Sequence, residues 1–124
     1  MCVRGSCIWI SRRRASRAAE PSRAAVEQAA ALVGEAERPI LLVGGECRTA
    51  EFRKDLITLS ERWNILVAAT NKMQDQFPND HRLWIGHLGF FMSPAHVGLF
   101  ERADLIVAVG TRLGDLAQAA YPQR

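Results

Sequence analysis

Two stretches decide the fold: Pro39-Ile-Leu-Leu-Val-Gly-Gly45 and Ala103-Asp-Leu-Ile-Val-Ala-Val-Gly110. Both are short, rich in branched aliphatic residues and uncharged at their centres, as strands covered on both faces of a parallel sheet must be. Each stops at glycine. A glycine at the carboxyl end of such a strand lets the backbone come close to a ligand, and in open parallel α/β sheets that edge is where ligands sit. The pair therefore points to a nucleotide-type α/β domain, without identifying the nucleotide.

The flanking sequence fits the same class. Ser22 is a candidate N-cap for a helix carrying Ala25, Val26, Ala29, Ala30, Leu32 and Val33 on one stripe to about Glu35. Pro39 disfavours helix at Arg38, and a first strand follows at Ile40–Val43. Thr49 caps a second predicted helix to about Trp63, with Phe52, Leu56, Leu59 and Trp63 as its inward face. Asn64 ends it, and Ile65–Ala69 is the next strand. Thr70 to Asp80 reads as a polar loop with a helical turn, and Leu83–Leu88 as a weaker apolar segment. Ser93 and Pro94 start a third helix that turns Val97, Phe100 and His96 inward, and Leu105–Val109 is the strongest strand. Helices alternating with strands over short links favour right-handed crossovers and a parallel sheet.

At 124 residues, 48% hydrophobic and 23% charged, the chain is at most one globular domain. Its net charge of +3 is unevenly placed. Residues 1–19 hold five arginines (Arg4, Arg12, Arg13, Arg14, Arg17) and no acid, whereas residues 20–124 carry 11 basic and 13 acidic groups. A nucleic-acid-binding face on the folded part is therefore not expected, and Arg12-Arg13-Arg14 reads as a solvated tail. Residues 1–21 are expected to form a disordered, Arg-rich arm or linker. The arm has the composition of an organellar transit peptide, but 14 arginines against 2 lysines point instead to a habit of the whole sequence. Three irregularly spaced cysteines (Cys2, Cys7, Cys47) make no disulfide framework and suit a reducing, cytoplasmic setting. No run approaches the roughly 20 apolar residues of a membrane helix.

Isolated chemistry-bearing residues carry little. Cys47 has no His or acid at a spacing that would make it a nucleophile, and His81, His87 and His96 lack metal-ligand spacing. Lys72 and Asp75 read as solvated loop charges, and Trp63 and Trp84 as core residues.

Four segments together are more specific: Glu37-Arg-Pro-Ile-Leu-Leu-Val-Gly-Gly45, Phe77-Pro-Asn-Asp-His81, Ile85-Gly-His-Leu-Gly89, and Ala103-Asp-Leu-Ile-Val-Ala-Val-Gly-Thr-Arg-Leu-Gly-Asp115. In order and spacing they resemble the central domain of thiamine-diphosphate-dependent enzymes of the acetolactate synthase and benzoylformate decarboxylase branch. The resemblance runs from about Ser22 to Asp115, with residues 22–124 as the partial domain. It implies a Rossmann-like parallel sheet flanked by helices, of the NAD/FAD-binding type, and a domain truncated at its carboxyl end. With the relatives' next strand missing, the outer edge of the Leu105–Val109 strand is expected to be bare.

The resemblance also implies a division of labour. Thiamine diphosphate and Mg²⁺ would be held by the pyrimidine-binding and diphosphate-binding domains of a full-length, homo-oligomeric 2-oxo-acid lyase or carboligase. These 124 residues contain no Gly-Asp-Gly of the kind that holds the metal and diphosphate. In flavin-containing relatives the central domain binds FAD along its strand ends. Carried over, the candidate cofactor-binding positions are Gly44, Gly45, Thr70, Leu88, Gly89, Gly110, Thr111 and Arg112. Glycine amides and a planar guanidinium suit a pyrophosphate. Against that, Glu46 stands where many flavin relatives have a third glycine, and Gly89-Phe-Phe-Met92 brings bulk where a flavin needs room. A vestigial site is the expectation, with a stand-alone FAD- or ADP-binding module or a gene fragment without a role of its own as the alternatives.

Overall fold

The structure is a computed structural model that describes residues 8–10, 20–46, 48–89 and 92–111. It holds strands β1 (Ile8–Ile10), β2 (Pro39–Val43), β3 (Leu66–Thr70), β4 (Trp84–Leu88) and β5 (Leu105–Val109). The helices are α1 (Arg23–Glu35), α2 (Ala50–Trp63) and α3 (Pro94–Arg102). The strands form one parallel sheet in the order β1-β5-β2-β3-β4.

Pattern and caps explain most of this. Alternate residues of each strand feed opposite sides of the sheet. Leu41, Val43, Val67, Ala69, Leu105 and Val107 pack with Leu56 and Phe77 on the side of α1 and α2. Ile40, Leu42, Ala68, Ile85 and Leu88 pack with Phe100 and Ala103 on the side of α3. Helices on both faces are what two-sided strand burial requires. The paths β1-α1-β2 and β2-α2-β3 cross the sheet one way over one face, and β4-α3-β5 returns over the other. All three crossovers thus share one hand, as the right-handed rule demands. Each helix starts on a hydroxyl: Ser22 accepts from the Ala25 amide at 3.2 Å, Thr49 from Phe52 at 3.1 Å and Ser93 from His96 at 3.3 Å. Asn64 ends α2 in the left-handed region at φ 52°.

Three expectations need correction. First, β1 lies inside the arm expected to be disordered. It pairs with β5 in the register Ile8↔Val107, Trp9↔Ala108, Ile10↔Val109, so the β5 edge is covered and not bare. An unpaired row of backbone N–H and C=O groups is a ready template for an extended apolar segment, and Ile8-Trp-Ile10 is one. Residues 1–7 and 11–19 of that arm lie outside the described residues.

Second, α2 buries Leu56 and Ser60, with Phe52 partly buried on the same line, whereas Leu59 and Trp63 are 44% and 39% exposed. Ser60 enters the core because its hydroxyl donates to the Ile57 carbonyl at 2.8 Å and needs no other partner. Trp63 leans sideways instead, its ring 3.5 Å from where a Cβ on Gly34 of α1 would lie.

Third, the apolar segment expected at Leu83–Leu88 forms β4 over Trp84–Leu88, and that strand is bulged. Val67↔Trp84 is followed by Ala69↔His87, one residue out of step, and Gly86 takes the extra turn at φ +93°.

Candidate functional site

Along the sheet, the direction of winding reverses between β2 and β5, so the carboxyl ends of these two strands flank the topological switch point. The fold brings most of the sequence-selected positions to this one edge. Gly44 and Gly45 follow β2, Gly110 and Thr111 follow β5, Thr70 closes β3, and Leu88 and Gly89 end and follow β4. Arg112 lies outside the described residues, as do Cys47, Phe90 and Phe91.

The geometry at the switch point is tight. The Gly44 amide donates to the Val109 carbonyl at 2.9 Å, and the Glu46 amide donates to the Gly110 carbonyl at 3.0 Å. A Cβ on Gly44 would lie 2.4 Å from the Gly110 oxygen and 2.5 Å from Thr111 Cβ. Gly110 itself sits at φ +61°. These glycines let two loops cross in backbone contact. Two amides that a pyrophosphate would need are already spent on protein carbonyls, so this cradle, as it stands, does not fit a diphosphate.

Gly45 meets a different neighbour: its Cβ would fall 2.8 Å from Met73 Sδ in the loop after β3. Met73 is held there by a turn in which its amide donates to the Thr70 carbonyl at 3.0 Å, with Lys72 at φ 67°. Leu88 is 3% exposed and belongs to the α3-side core, so it packs and does not face the edge. Gly89 opens onto Asn71, whose Cβ is 3.8 Å from where a Cβ on Gly89 would lie.

One acid at this edge is matched by two arginines. Asp75 accepts from Arg48 at 3.2 Å and from Arg53 at 3.4 Å, which ties the β3–β4 loop to the start of α2. The Arg48 hydrogen bond, against a smaller opposing effect of burial and aided by the charges of both arginines, holds the Asp75 carboxyl below its usual range. Asp75 and Lys72 were both expected to be solvated loop charges; Asp75 is half-exposed but engaged. The histidines do structural work where their partners are seen. His81 accepts from the Leu83 amide at Nδ1 and places Nε2 3.2 Å from Glu61. Its ring meets Phe77 edge-on at 4.9 Å, and Phe77 stacks on Trp84 at 6.1 Å. The His96 ring lies against Gly86. Among the described residues no three His, Cys, Asp or Glu side chains gather in a way that could hold a metal ion. No helix among them is long and apolar enough to cross a membrane.

At the opposite, amino-terminal edge lies a contact that sequence reading missed. Asp104 accepts from the Glu37 amide at 2.7 Å and the Arg38 amide at 2.9 Å, while Arg38 Nε donates to the Arg102 carbonyl at 2.9 Å. Burial works against the charge on Asp104, but the two amides and the Arg38 charge outweigh it and leave its carboxyl below the usual range. The only available signal was that Glu37-Arg38 and Asp104 directly precede two strands predicted to be buried, and neighbouring strands bring their starts together.

Residues 26–124 match the thiamine pyrophosphate enzyme central-domain family. The chain is 36% identical over 95 residues to the acetolactate synthase large subunit of Corynebacterium glutamicum, covering 77% of this chain and 15% of that protein. It is 37% identical over 93 residues to the sulfoacetaldehyde acetyltransferase of Rhodobacter capsulatus, covering 75% and 16%. It is 35% identical over 96 residues to the acetolactate synthase of Mycobacterium bovis, covering 77% and 16%. The chain thus spans about one-sixth of the length of these relatives. With the doubly wound parallel sheet and its crowded carboxyl edge, the match places this chain in the family of thiamine pyrophosphate enzyme central domains.

Proposed function

We propose that this chain is the non-catalytic central domain of an acetolactate synthase-like enzyme that cleaves or joins 2-oxo acids, and that its role there is to carry and space the catalytic domains. The observation that carries the reading is the family match over residues 26–124, set on a sheet whose ligand edge is closed by backbone-to-backbone contacts. Thiamine diphosphate supplies the carbanion chemistry when bound. Cofactor and metal belong, as the family resemblance implies, to the pyrimidine-binding and diphosphate-binding domains of the same enzyme; among the described residues no donor set for Mg²⁺ comes together. What the chain's own residues contribute is rigidity. Gly44 and Gly110 lock the β2 and β5 loops, Gly45 seats Met73, and the Arg48–Asp75–Arg53 clamp fixes the β3–β4 loop. Under this reading Gly44, Gly45, Thr70, Leu88, Gly89, Gly110, Thr111 and Arg112 are a vestigial nucleotide site.

The test is activity of the parts. The purified 124-residue chain, given pyruvate, thiamine diphosphate and Mg²⁺, is expected to consume no substrate. A protein joining this domain to pyrimidine-binding and diphosphate-binding domains of a related acetolactate synthase is expected to do so. Cofactor-dependent turnover by the chain alone would overturn the reading. So would a soluble, folded joined protein that binds no thiamine diphosphate.

A further inference from the structure

His81 lies in the turn that enters β4, away from the carboxyl edge. Its amide donates to the Pro78 carbonyl at 3.2 Å, and its own carbonyl accepts from the Trp84 amide at 2.9 Å. The imidazole joins two elements. The Leu83 backbone N–H donates to Nδ1 at 3.2 Å, and Nε2 lies 3.2 Å from Glu61 Oε1 on α2. One N–H cannot accept from another, so Nδ1 presents its lone pair and the ring proton sits on Nε2, donating to the carboxylate. The two contacts together select one neutral tautomer. The side chain is only 17% exposed, and Phe77 meets the ring edge-on.

We propose that His81 is an acid-sensitive latch on the entry to β4: neutral, it ties the Leu83 amide to α2; protonated, it keeps Glu61 and releases Leu83. A second proton goes to Nδ1, where it faces the Leu83 N–H and replaces a hydrogen bond with a repulsion. The same proton strengthens the contact with Glu61, the charged group that α2 presents to the ring. On its own turn the ring has Asp80 and Arg82 as sequence neighbours, and Arg82 is engaged with Asn64 Oδ1 at 2.8 Å. The Glu61 and Asn64 contacts therefore hold the turn against the end of α2 while the Leu83 amide lets go. Leu83 is a consequential place to let go. Its side chain is 3% exposed, and its carbonyl accepts from the Val67 amide at 2.8 Å, a link to β3 just ahead of β4.

NMR and hydrogen exchange on the full chain test this. At neutral pH the ring nitrogen shifts of His81 should place its proton on Nε2. From about pH 8 to about pH 5, where an ordinary imidazole charges, the ring should take up its second proton. In step with it, the protection of the Leu83 amide, corrected for the intrinsic pH dependence of exchange, should fall by about tenfold while the β2 amides keep theirs. His81→Asn is the matched variant. An asparagine side-chain oxygen accepts from the amide two residues on, so it takes the place of Nδ1 without titrating. In that variant the Leu83 protection should no longer depend on pH, whereas Glu61→Gln should leave the dependence in place. A proton found on Nδ1 at neutral pH, a ring that stays neutral in acid, or Leu83 protection unchanged as the ring charges would each overturn the proposal. So would a pH response that survives in His81→Asn or vanishes in Glu61→Gln. The tautomer and the first exchange profile are read on the unaltered chain, so they decide even if a variant does not fold.

Discussion

Gly44 and Gly45 are adjacent, look alike in the sequence, and are held by different neighbours. A methyl on Gly44 meets the Gly110 oxygen at 2.4 Å and Thr111 backbone at 2.7 Å, and neither can yield without moving β5. Gly44→Ala should cost about 2–3 kcal/mol in a urea unfolding experiment. A methyl on Gly45 meets only the end of Met73, a flexible side chain, so Gly45→Ala should cost about 1 kcal/mol or less and recover with Met73→Ala. Equal costs, or no rescue, would show that the two loops are not held as described. Asp104 supplies a second residue-scale prediction. Asp104→Ala removes the acceptor of two backbone amides and should cost about 1 kcal/mol at neutral pH. The direction with pH follows from the depressed carboxyl: it binds its proton less readily folded than unfolded. Its stabilisation is therefore full above the ordinary carboxylate range and is lost as pH falls through the lower, folded value. Unfolding curves of the wild type and Asp104→Ala should converge in acid; a gap that persists there would mean that packing, not charge, makes the difference.

The helices show what periodicity can and cannot decide. All three caps, Ser22, Thr49 and Ser93, were legible because a hydroxyl before an apolar stripe has a local reason to be there. The inward face of α2 was legible only in part. Phe52 and Leu56 are compatible with either of two stripes, and hydrophobicity alone selects Leu59 and Trp63 over the small, polar Ser60. The sheet selects otherwise, because a small residue lets the helix approach, and Trp63 finds Gly34 instead. Leu56→Ala should thus cost about 2–4 kcal/mol while Leu59→Ala stays within about 0.5 kcal/mol. Thermal or urea melts showing similar losses would restore the stripe read from the sequence. The bulge in β4 had a signal, a lone glycine inside an apolar run, that composition alone could not distinguish from a strand end. β1 had none that is local: three apolar residues beside an arginine cluster become a strand only because β5 offers an edge.

On the scale of the whole molecule, the parallel sheet and its ligand edge were legible because two-sided burial leaves so plain a mark on β2 and β5. Where chemistry would occur at that edge was less so. A strand-end glycine reads equally as room for a ligand or room for another loop, and only the fold says which. Here the other loop has the space: the Gly44 and Glu46 amides donate to Val109 and Gly110, and Met73 fills the room beside Gly45. A pyrophosphate entering between β2 and β5 would have to break those hydrogen bonds, and Glu46 brings a carboxylate onto the same loop. The two arginines nearest the start of α2, Arg48 and Arg53, are already shared by Asp75. Titration of the purified chain with FAD or ADP should accordingly give no saturable binding tighter than about 100 μM, a free energy of roughly −5.5 kcal/mol. Asp75→Asn is the informative variant, because it removes the charge that neutralises both guanidinium groups and leaves the Gly44–Val109 hydrogen bond in place. If it alone confers measurable ADP affinity, internal neutralisation was the barrier; if affinity is unchanged, the closed Gly44–Val109 contact is. A protein that purifies yellow, with flavin bound stoichiometrically, would show that these loops part readily and that the edge is an open site after all.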